Sequence, residues 1–253
     1  MRVRHLRGRL FAAAVVAGAL AWGGTAHATA PDQRLPEPID RIVNGEIVAR
    51  ATEDGPAAVL IGGQRLDFDS VDAAQESGCG TGRVTVLPKR VFDSIPSGPD
   101  PLFAALDRDV DVERITPEPA YRDNCDTVYR ADGRAPEVIF AEGFAPKDTK
   151  DGQYDVKQYV LKNQPSPFVS TTYRDDLYKA WKSPYYYYVD APGGIDVNET
   201  IGDDHKYADQ AEVAFPGGID TRFIVMGCPV DRETLTIDES ECEANPNYRP
   251  WRR

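Results

Sequence analysis

Residues 207–219 read Tyr-Ala-Asp-Gln-Ala-Glu-Val-Ala-Phe-Pro-Gly-Gly-Ile. From Asp209 to Phe215 polar and apolar side chains alternate, which predicts a β-strand, and Pro216-Gly217-Gly218 predicts the turn that ends it. Residues two apart on a strand share one face, so the amide of Gln210 is expected beside the carboxylate of Glu212. Because such a pair is most often a solvated strand face, its meaning depends on the rest of the chain.

Two further stretches precede this one. Val128-Tyr129-Arg130 places an arginine at the end of a strand, and Asp132-Gly133-Arg134 follows it. Residues 168–172, Phe-Val-Ser-Thr-Thr, predict a second strand. Alone, the arginine is typical of an ion-paired surface residue and Ser-Thr-Thr reflects β-propensity. The order Arg, Ser-Thr-Thr, Gln-x-Glu is more specific than any of its parts.

This order resembles the mono-ADP-ribosyltransferases of the cholera- and pertussis-toxin type, whose motifs are Arg, Ser-Thr-Ser and Gln/Glu-x-Glu. Within that class the chain is most similar to the pierisin-like, guanine-modifying branch. The similarity runs from about Asp111 to Trp251, in residues 112–117 (VERITP), 164–172 (QPSPFVSTT), 190–194 (DAPGG) and 212–219 (EVAFPGGI). One departure is Thr172, which stands where serine is commoner.

The resemblance implies an enzyme that breaks the bond between nicotinamide and ribose in NAD+ and transfers ADP-ribose, with some NAD glycohydrolase activity. NAD+ is then a co-substrate, and no metal is implied. The ribose becomes an oxocarbenium ion, which a carboxylate stabilises. By resemblance, the catalytic residues are Glu212, Gln210, Arg130 and Ser170. The implied cofactor-binding residues are Arg130, Asp132, Arg134, Ser170, Thr171, Thr172 and Glu212.

The same resemblance assigns Gln210, Tyr207 and Trp181 to the acceptor. Tyr207 stands where these enzymes tend to carry tryptophan, and a flat ring there can stack on a base. Trp181 has core packing as an equally good interpretation. His205 is expected to be a loop residue without a catalytic role, because the family mechanism needs no histidine.

The expected fold class is α+β: two packed, mostly antiparallel sheets with short helices around an NAD cleft. Helices are predicted at 136–142, ended by Gly143, at 153–162 and at 174–182. Further strands are predicted at 57–61, 185–191 and 223–226. Strands and helices do not alternate regularly, which argues against a doubly wound fold.

The first 28 residues predict a secretory signal peptide, since four arginines precede an apolar run and Ala26-His27-Ala28 fits a cleavage site. We therefore expect a secreted, extracellular toxin, monomeric and without a membrane partner. The whole chain has 253 residues and a net charge of −12. Removing the peptide leaves 25 basic and 41 acidic residues, a net charge of −16.

Four cysteines in an exported chain favour two disulfides over a zinc site, because no Cys-x-x-Cys or nearby histidine accompanies them. Three pairings are open. Cys228 and Cys242 flank a short polar loop, which favours Cys228–Cys242 and leaves Cys79–Cys125.

Residues 29–78 are acidic and rich in proline and glycine, and predict a loosely ordered N-terminal extension or propeptide. The catalytic domain is expected over 79–253. Arg41-Ile42-Val43-Asn44-Gly45 resembles the activation site of a trypsin-like protease, but the nucleophile motif is missing. Processing after Arg41 by another enzyme stays open.

Three functions remain: transfer to guanine in DNA, nucleosides or nucleotides, transfer to a protein side chain, and a catalytically silent binding module. The intact motif residues count against silence. The acidic charge excludes a protein held on DNA by bulk electrostatics but not the capture of one guanine. The nearest basic candidates for DNA contact are Arg249, Arg252, Arg253, Lys179 and Lys182.

Overall fold

The computed structural model describes residues 42–252, which form twelve strands and five short α-helices. The strands are β1 (Ile47–Arg50), β2 (Ala57–Ile61), β3 (Gln64–Phe68), β4 (Val84–Leu87), β5 (Val128–Asp132), β6 (Phe168–Thr172), β7 (Tyr185–Val189), β8 (Ile195–Asp196), β9 (Glu212–Pro216), β10 (Ile224–Asp231), β11 (Thr236–Ile237) and β12 (Glu243–Ala244). The α-helices are α1 (Val71–Glu76), α2 (Lys89–Ser94), α3 (Pro136–Glu142), α4 (Val156–Lys162) and α5 (Val197–Ile201).

The strands form two sheets. The smaller sheet has the order β3-β2-β1-β4, in which only β1 and β4 are parallel. The larger sheet has the order β11-β10-β7-β5-β6-β9-β8, antiparallel throughout, with β12 paired to β10. The expected α+β fold of two mostly antiparallel sheets is confirmed.

One hydrophobic core joins the two sheets. Alternate residues of the smaller sheet (Ile47, Ala57, Val59 and Ile61) pack in the same cluster as Val128, Val189, Ile224 and Trp251 of the larger part. The other face of the smaller sheet, including Val48 and Leu60, packs on Phe92 and Ile95 at α2. Since β2 is covered on both faces, all five of its residues are buried.

The N-terminal stretch differs from the prediction of a loosely ordered extension over 29–78. Within its described part, from Ile42 on, the structure has β1, β2, β3 and α1, and β1 pairs with β4 beyond residue 78. Proline and glycine suggested disorder, but in the described part of this stretch Gly55 and Pro56 lie in the turn between β1 and β2, and Gly62 and Gly63 lie in the turn between β2 and β3. The predicted signal peptide lies outside the described residues.

The predicted helix over 174–182 is wrong, because only a 3-10 turn forms, at Leu177–Lys179. The carbonyl of Arg174 accepts from the Tyr186 hydroxyl at 2.5 Å instead of from a helical amide. The helix predicted over 153–162 begins at Val156, because Asp155 caps it by accepting from the Gln158 amide at 2.8 Å. The helix over 136–142 forms as predicted.

Both predicted disulfides are present. Cys79–Cys125 joins the residue stretch after α1 to the segment before β5, and Cys228–Cys242 joins β10 to the segment before β12. Within residues 42–252, no helix is long and apolar enough to cross a membrane.

Candidate active site

The three motif stretches meet where β5 and β6 diverge. These strands pair only at Tyr129 and Thr172, whereas β6 and β9 pair from Phe168–Pro216 through Thr172–Glu212. The divergence opens a cavity of about 230 Å³. Of the predicted site residues, those lining it are Arg130, Ser170, Thr171, Thr172, Trp181, Gln210 and Glu212.

Arg130 reaches across the divergence. Its Nη1 donates to the Ser170 carbonyl at 2.6 Å, and its guanidinium lies 5.1 Å from the centre of the Phe144 ring. Asp132 accepts from Arg130 Nη2 at 3.2 Å and from Arg134 Nε at 2.9 Å. Asp132 and Arg134 do not line the cavity, so within it they act only through the orientation of Arg130.

The carboxyl of Asp132 is well suited to that task. Burial alone would raise the pKa of Asp132, but hydrogen bonds from Arg134 and the charge of Arg130 outweigh it and hold the pKa below its ordinary value. Asp132 therefore stays ionised between two arginines.

The two threonines after Ser170 bind backbone. Thr171 Oγ1 donates to the Val213 carbonyl at 2.9 Å. Thr172 Oγ1 donates to the Gln210 carbonyl at 2.5 Å and accepts from the Arg174 amide at 2.9 Å. The hydroxyl that threonine shares with serine thus fixes the turn before Glu212.

Glu212 is the first residue of β9 and lies beside Ser170, across the β6–β9 pair. Burial raises the pKa of its carboxyl, while the hydroxyls of Ser170 and Tyr159 and the charge of Arg130 act in the opposite direction. The carboxylate is therefore an acceptor held between two hydroxyls and a cation.

The position of Gln210 differs from the prediction. Gln210 ends a 3-10 turn, Ala208–Gln210, and Ala211 has a left-handed backbone with φ 45°, so β9 begins only at Glu212. The side chains of Gln210 and Glu212 therefore do not share a strand face. Both line the same cavity nevertheless, because the turn folds back under Thr172.

Tyr159 is a residue that the sequence analysis missed. It lies on α4, 8% exposed, with its ring 5.1 Å from that of Phe168. Burial and the charge of Glu212 raise its pKa well above the ordinary value, so the hydroxyl keeps its proton. Its spacing from Val156 and Val160 is that of a core position, which concealed it. Lys147, Asn163 and Gln164 also line the cavity.

A second cavity of about 140 Å³ adjoins the first and shares Tyr159, Ser170 and Glu212 with it. Tyr207 and Trp181 both line it, as does Gln210. Trp181 is 46% exposed, so it is not a core residue. Lys206 Nζ lies 4.4 Å from the centre of the Tyr207 ring.

His205 lines neither cavity. Its Nε2 lies 3.1 Å from Asn198 Oδ1, and Asn198 Nδ2 donates to the Ala208 carbonyl at 2.9 Å. The histidine thus helps to fix the loop that carries Tyr207. Among the described residues, no group of three His, Cys, Asp or Glu side chains is placed to hold a metal.

Comparisons with known proteins identify relatives of this chain. A family model described as Scabin-like matches residues 128–248. A guanine-specific ADP-ribosyl transferase of Streptomyces coelicolor is 64% identical over 157 residues, 62% of this chain and 77% of that protein. Pierisin of Pieris brassicae is 39% identical over 108 residues, 38% of this chain and only 13% of that protein.

Solved structures also include relatives of this chain. Scabin toxin from Streptomyces scabies in complex with NADH is 63% identical, with a TM-score of 0.60, and the match covers 62% of this chain and 95% of that chain. The remaining 38% of this chain has no counterpart in that match.

Proposed function

The chain belongs to the Scabin-like family of ADP-ribosyltransferases, and on that premise we propose that it transfers ADP-ribose from NAD+ to guanine in DNA, nucleosides or nucleotides. One observation carries the proposal. Arg130, Ser170 and the pair Gln210 and Glu212 come from three separate stretches of the sequence, and all four line the cavity between β5 and β6.

The cavity has the chemistry that NAD+ requires. Arg130 and Lys147 supply cationic donors for phosphate oxygens, and Glu212 supplies one carboxylate for the reacting ribose. Asp132 and Arg134 hold Arg130 in place from outside the cavity. The Phe144 ring under the Arg130 guanidinium supports the same orientation.

Glu212 is the proposed catalytic residue. The bond between ribose C1′ and the nicotinamide nitrogen breaks, nicotinamide leaves with the bonding electron pair, and the sugar becomes an oxocarbenium ion. The carboxylate stabilises that positive charge where water is scarce. Ser170 and Tyr159 hold the carboxylate, and Thr172 holds the turn that precedes it.

The second cavity is the proposed place of the acceptor. Gln210 lines both cavities, and its neutral amide can bind the edge of a guanine while leaving Glu212 as the only carboxylate on the walls. Tyr207 and Trp181 supply flat surfaces for the base. A guanine nitrogen then bonds to C1′ and loses a proton to solvent. Water in place of guanine gives NAD hydrolysis.

We also propose that the protein is exported. The supporting observation is the basic and apolar pattern of residues 1–28, and the solved relatives are described as toxins. Mass spectrometry of protein from the culture medium should find an N-terminus at Thr29. Recovery of the full-length chain from cells alone would contradict export.

One experiment tests the activity. Mature protein and labelled NAD+ are incubated with guanosine, with guanine-containing DNA and with a cell lysate, with Glu212→Ala as control. We expect label on guanosine and DNA, with the rate falling by about 10²-fold or more in the variant. Circular dichroism of the variant verifies that it is folded.

The outcomes separate the alternatives. Label found only on lysate proteins would favour a protein acceptor over guanine. No Glu212-dependent label or NAD hydrolysis in any arm would favour the silent binding module.

A further inference from the structure

A cavity of about 240 Å³ lies away from the proposed active site, between the segment that precedes β1 and the C-terminal segment. Its lining consists of Val43, Asn44, Phe103, Arg222, Phe223, Arg249, Pro250 and Trp251. None of these residues is acidic, although the chain as a whole carries a net charge of −12. The cavity is therefore a local concentration of positive charge.

The two arginines of this cavity differ from most others. Eight arginines within residues 42–252 form ion pairs with carboxylates: Arg50, Arg65, Arg83, Arg108, Arg130, Arg134, Arg174 and Arg252. Arg222 and Arg249 form none with the described residues. They are also neighbours, because the Arg249 amide donates to the Arg222 carbonyl at 2.9 Å.

Both guanidinium groups are held in place yet keep free donors. Arg222 lies 4.7 Å from the Phe223 ring centre and 5.8 Å from that of Phe103, and its Nη2 donates to the Phe103 carbonyl at 3.3 Å. Arg249 Nη1 donates to the carbonyls of Pro246 and Tyr248 at 2.9 and 2.7 Å. Each group has five N–H donors, so most remain available.

Nearby carboxylates are engaged elsewhere. Asp220 Oδ1 accepts from the Arg222 backbone amide at 2.9 Å. Asp190 accepts from Trp251 Nε1, the Tyr248 hydroxyl and Arg252. The neighbouring guanidinium groups of Arg222 and Arg249 are not ion-paired with a carboxylate of the described residues, so both are suited to bind phosphate oxygens.

We propose that Arg222 and Arg249 bind the phosphate backbone of the acceptor strand, as an anchor distant from the guanine that reacts. This inference rests on the proposed function, since it assigns the ligand as nucleic acid. The mature charge repels DNA in general, so a local anchor would give long acceptors an advantage that guanosine lacks.

The distance sets the acceptor length. Four neighbouring strand pairs separate Glu212 on β9 from Met226 on β10. The paired residues between them are Thr172 on β6, Tyr129 on β5 and Tyr188 on β7. At about 4.8 Å each, these spacings make about 19 Å, and Arg222 precedes Met226 on the far side. At about 3.4 Å per nucleotide in a stacked strand, about 19 Å corresponds to roughly six nucleotides, so a twelve-nucleotide acceptor is long enough to test the anchor.

The test compares Arg222→Gln/Arg249→Gln with the wild type on guanosine, a GpG dinucleotide and a twelve-nucleotide DNA strand with one guanine. We expect kcat/KM to fall about tenfold on the long strand and to be unchanged on guanosine, GpG and NAD hydrolysis. The salt dependence on the long strand should weaken by about 1.4 in log–log slope, for two lost phosphate contacts.

The matched control is Arg90→Gln/Lys150→Gln, which removes the same charge at two exposed positions. It should leave kcat/KM on the long strand within about twofold of the wild type. Arg222→Lys/Arg249→Lys keeps the charge and should restore part of the loss. A loss on guanosine as large as on the long strand, an increased KM for NAD+, or an equal loss in the control would each overturn the anchor.

Binding of a fluorescent dT12 strand, measured by anisotropy, decides the anchor without any reaction. We expect binding at least fivefold weaker in the double Gln variant than in the control, and equal binding would overturn the proposal. If the wild type labels no guanine in any arm, the proposed function fails, whereas the dT12 comparison still accepts or rejects the phosphate site.

Discussion

The proposed chemistry requires Glu212 to be negatively charged, and burial disfavours that charged form. Because only the carboxylate stabilises an oxocarbenium ion, kcat/KM for NAD hydrolysis should fall toward acid pH. The raised pKa of Glu212 places the midpoint above that of an ordinary glutamate. A profile between about pH 4 and 8 measures it, and Tyr159→Phe should shift the midpoint further up, since the hydroxyl lowers this pKa. A midpoint unmoved by Tyr159→Phe would show that Tyr159 only packs.

The same residue makes a prediction about stability. A carboxyl whose folded-state pKa is raised makes its full contribution to stability below its unfolded pKa, and that contribution is lost as pH rises through the folded pKa. Glu212→Gln should therefore raise the thermal midpoint at pH 7 by about 1–3 °C, and change it little near pH 3. A lower midpoint at pH 7 would mean that hydrogen bonds to the carboxylate outweigh its desolvation.

Substitution of Gln210 should reduce ADP-ribose transfer to guanosine without reducing NAD hydrolysis. Its amide lines the acceptor cavity, and the carbonyl that Thr172 binds belongs to its backbone, so Gln210→Ala leaves that hydrogen bond intact. We expect transfer to guanosine to fall by about 10-fold or more while NAD hydrolysis stays within about twofold. Labelled-NAD assays of both activities check this, with Asp209→Ala, an exposed neighbour, as control. Equal loss of both activities would place Gln210 in NAD binding instead.

At the scale of elements, the sequence correctly predicted the helices and strands whose formation depends on residues within the element or at its ends. The helix α3 forms as predicted because Pro136 and Gly143 mark its ends. The strands β2 and β6 form as predicted because each is a short run of apolar or β-branched residues. The predicted helix over 174–182 failed because its carbonyl at Arg174 bonds to a tyrosine on β7, a contact that no local pattern contains.

The site shows the same division. The motif order predicted which residues meet, but the left-handed Ala211 that moves Gln210 off the strand is imposed by Thr172 and the backbone of the turn.

Tyr186 and Tyr187 point to opposite faces of β7 and are both fully buried, because the larger sheet is covered on both sides. A strand alternates between core and surface only where one face of its sheet is open to solvent.

The two disulfides should differ in their contribution to stability. Cys79–Cys125 spans 46 residues and Cys228–Cys242 spans 14. Chain entropy alone assigns them about 4 and about 3 kcal/mol, so Cys79→Ala/Cys125→Ala should lower the free energy of unfolding more than Cys228→Ala/Cys242→Ala. Urea unfolding of both variants measures the difference. The reverse order would show that the loop after β10 is stabilised by more than its closure entropy.

At the scale of the molecule, the smaller sheet lies outside residues 128–248, which the family model matches, yet it shares a core with residues of the larger sheet. A propeptide boundary at residue 78 would separate β1 from β4 and uncover Trp251 and Ile224. We therefore propose that residues 42–95 stay in the mature protein. Cleavage after Arg41 would remove none of these strands.

The shared core predicts one cooperative unfolding transition for residues 42–252. Val59 packs with Val128 and Trp251, so loosening the smaller sheet exposes apolar surface of the larger one. In urea, tryptophan fluorescence, far-UV circular dichroism and NAD hydrolysis should be lost at one midpoint. Val59→Ala at the shared core and Leu60→Ala on the opposite face of β2 should each lower that midpoint for all three signals together. If the smaller sheet were a separate module, Leu60→Ala would produce an earlier transition that leaves NAD hydrolysis intact, and residues 42–95 would then be dispensable for the fold of the enzyme.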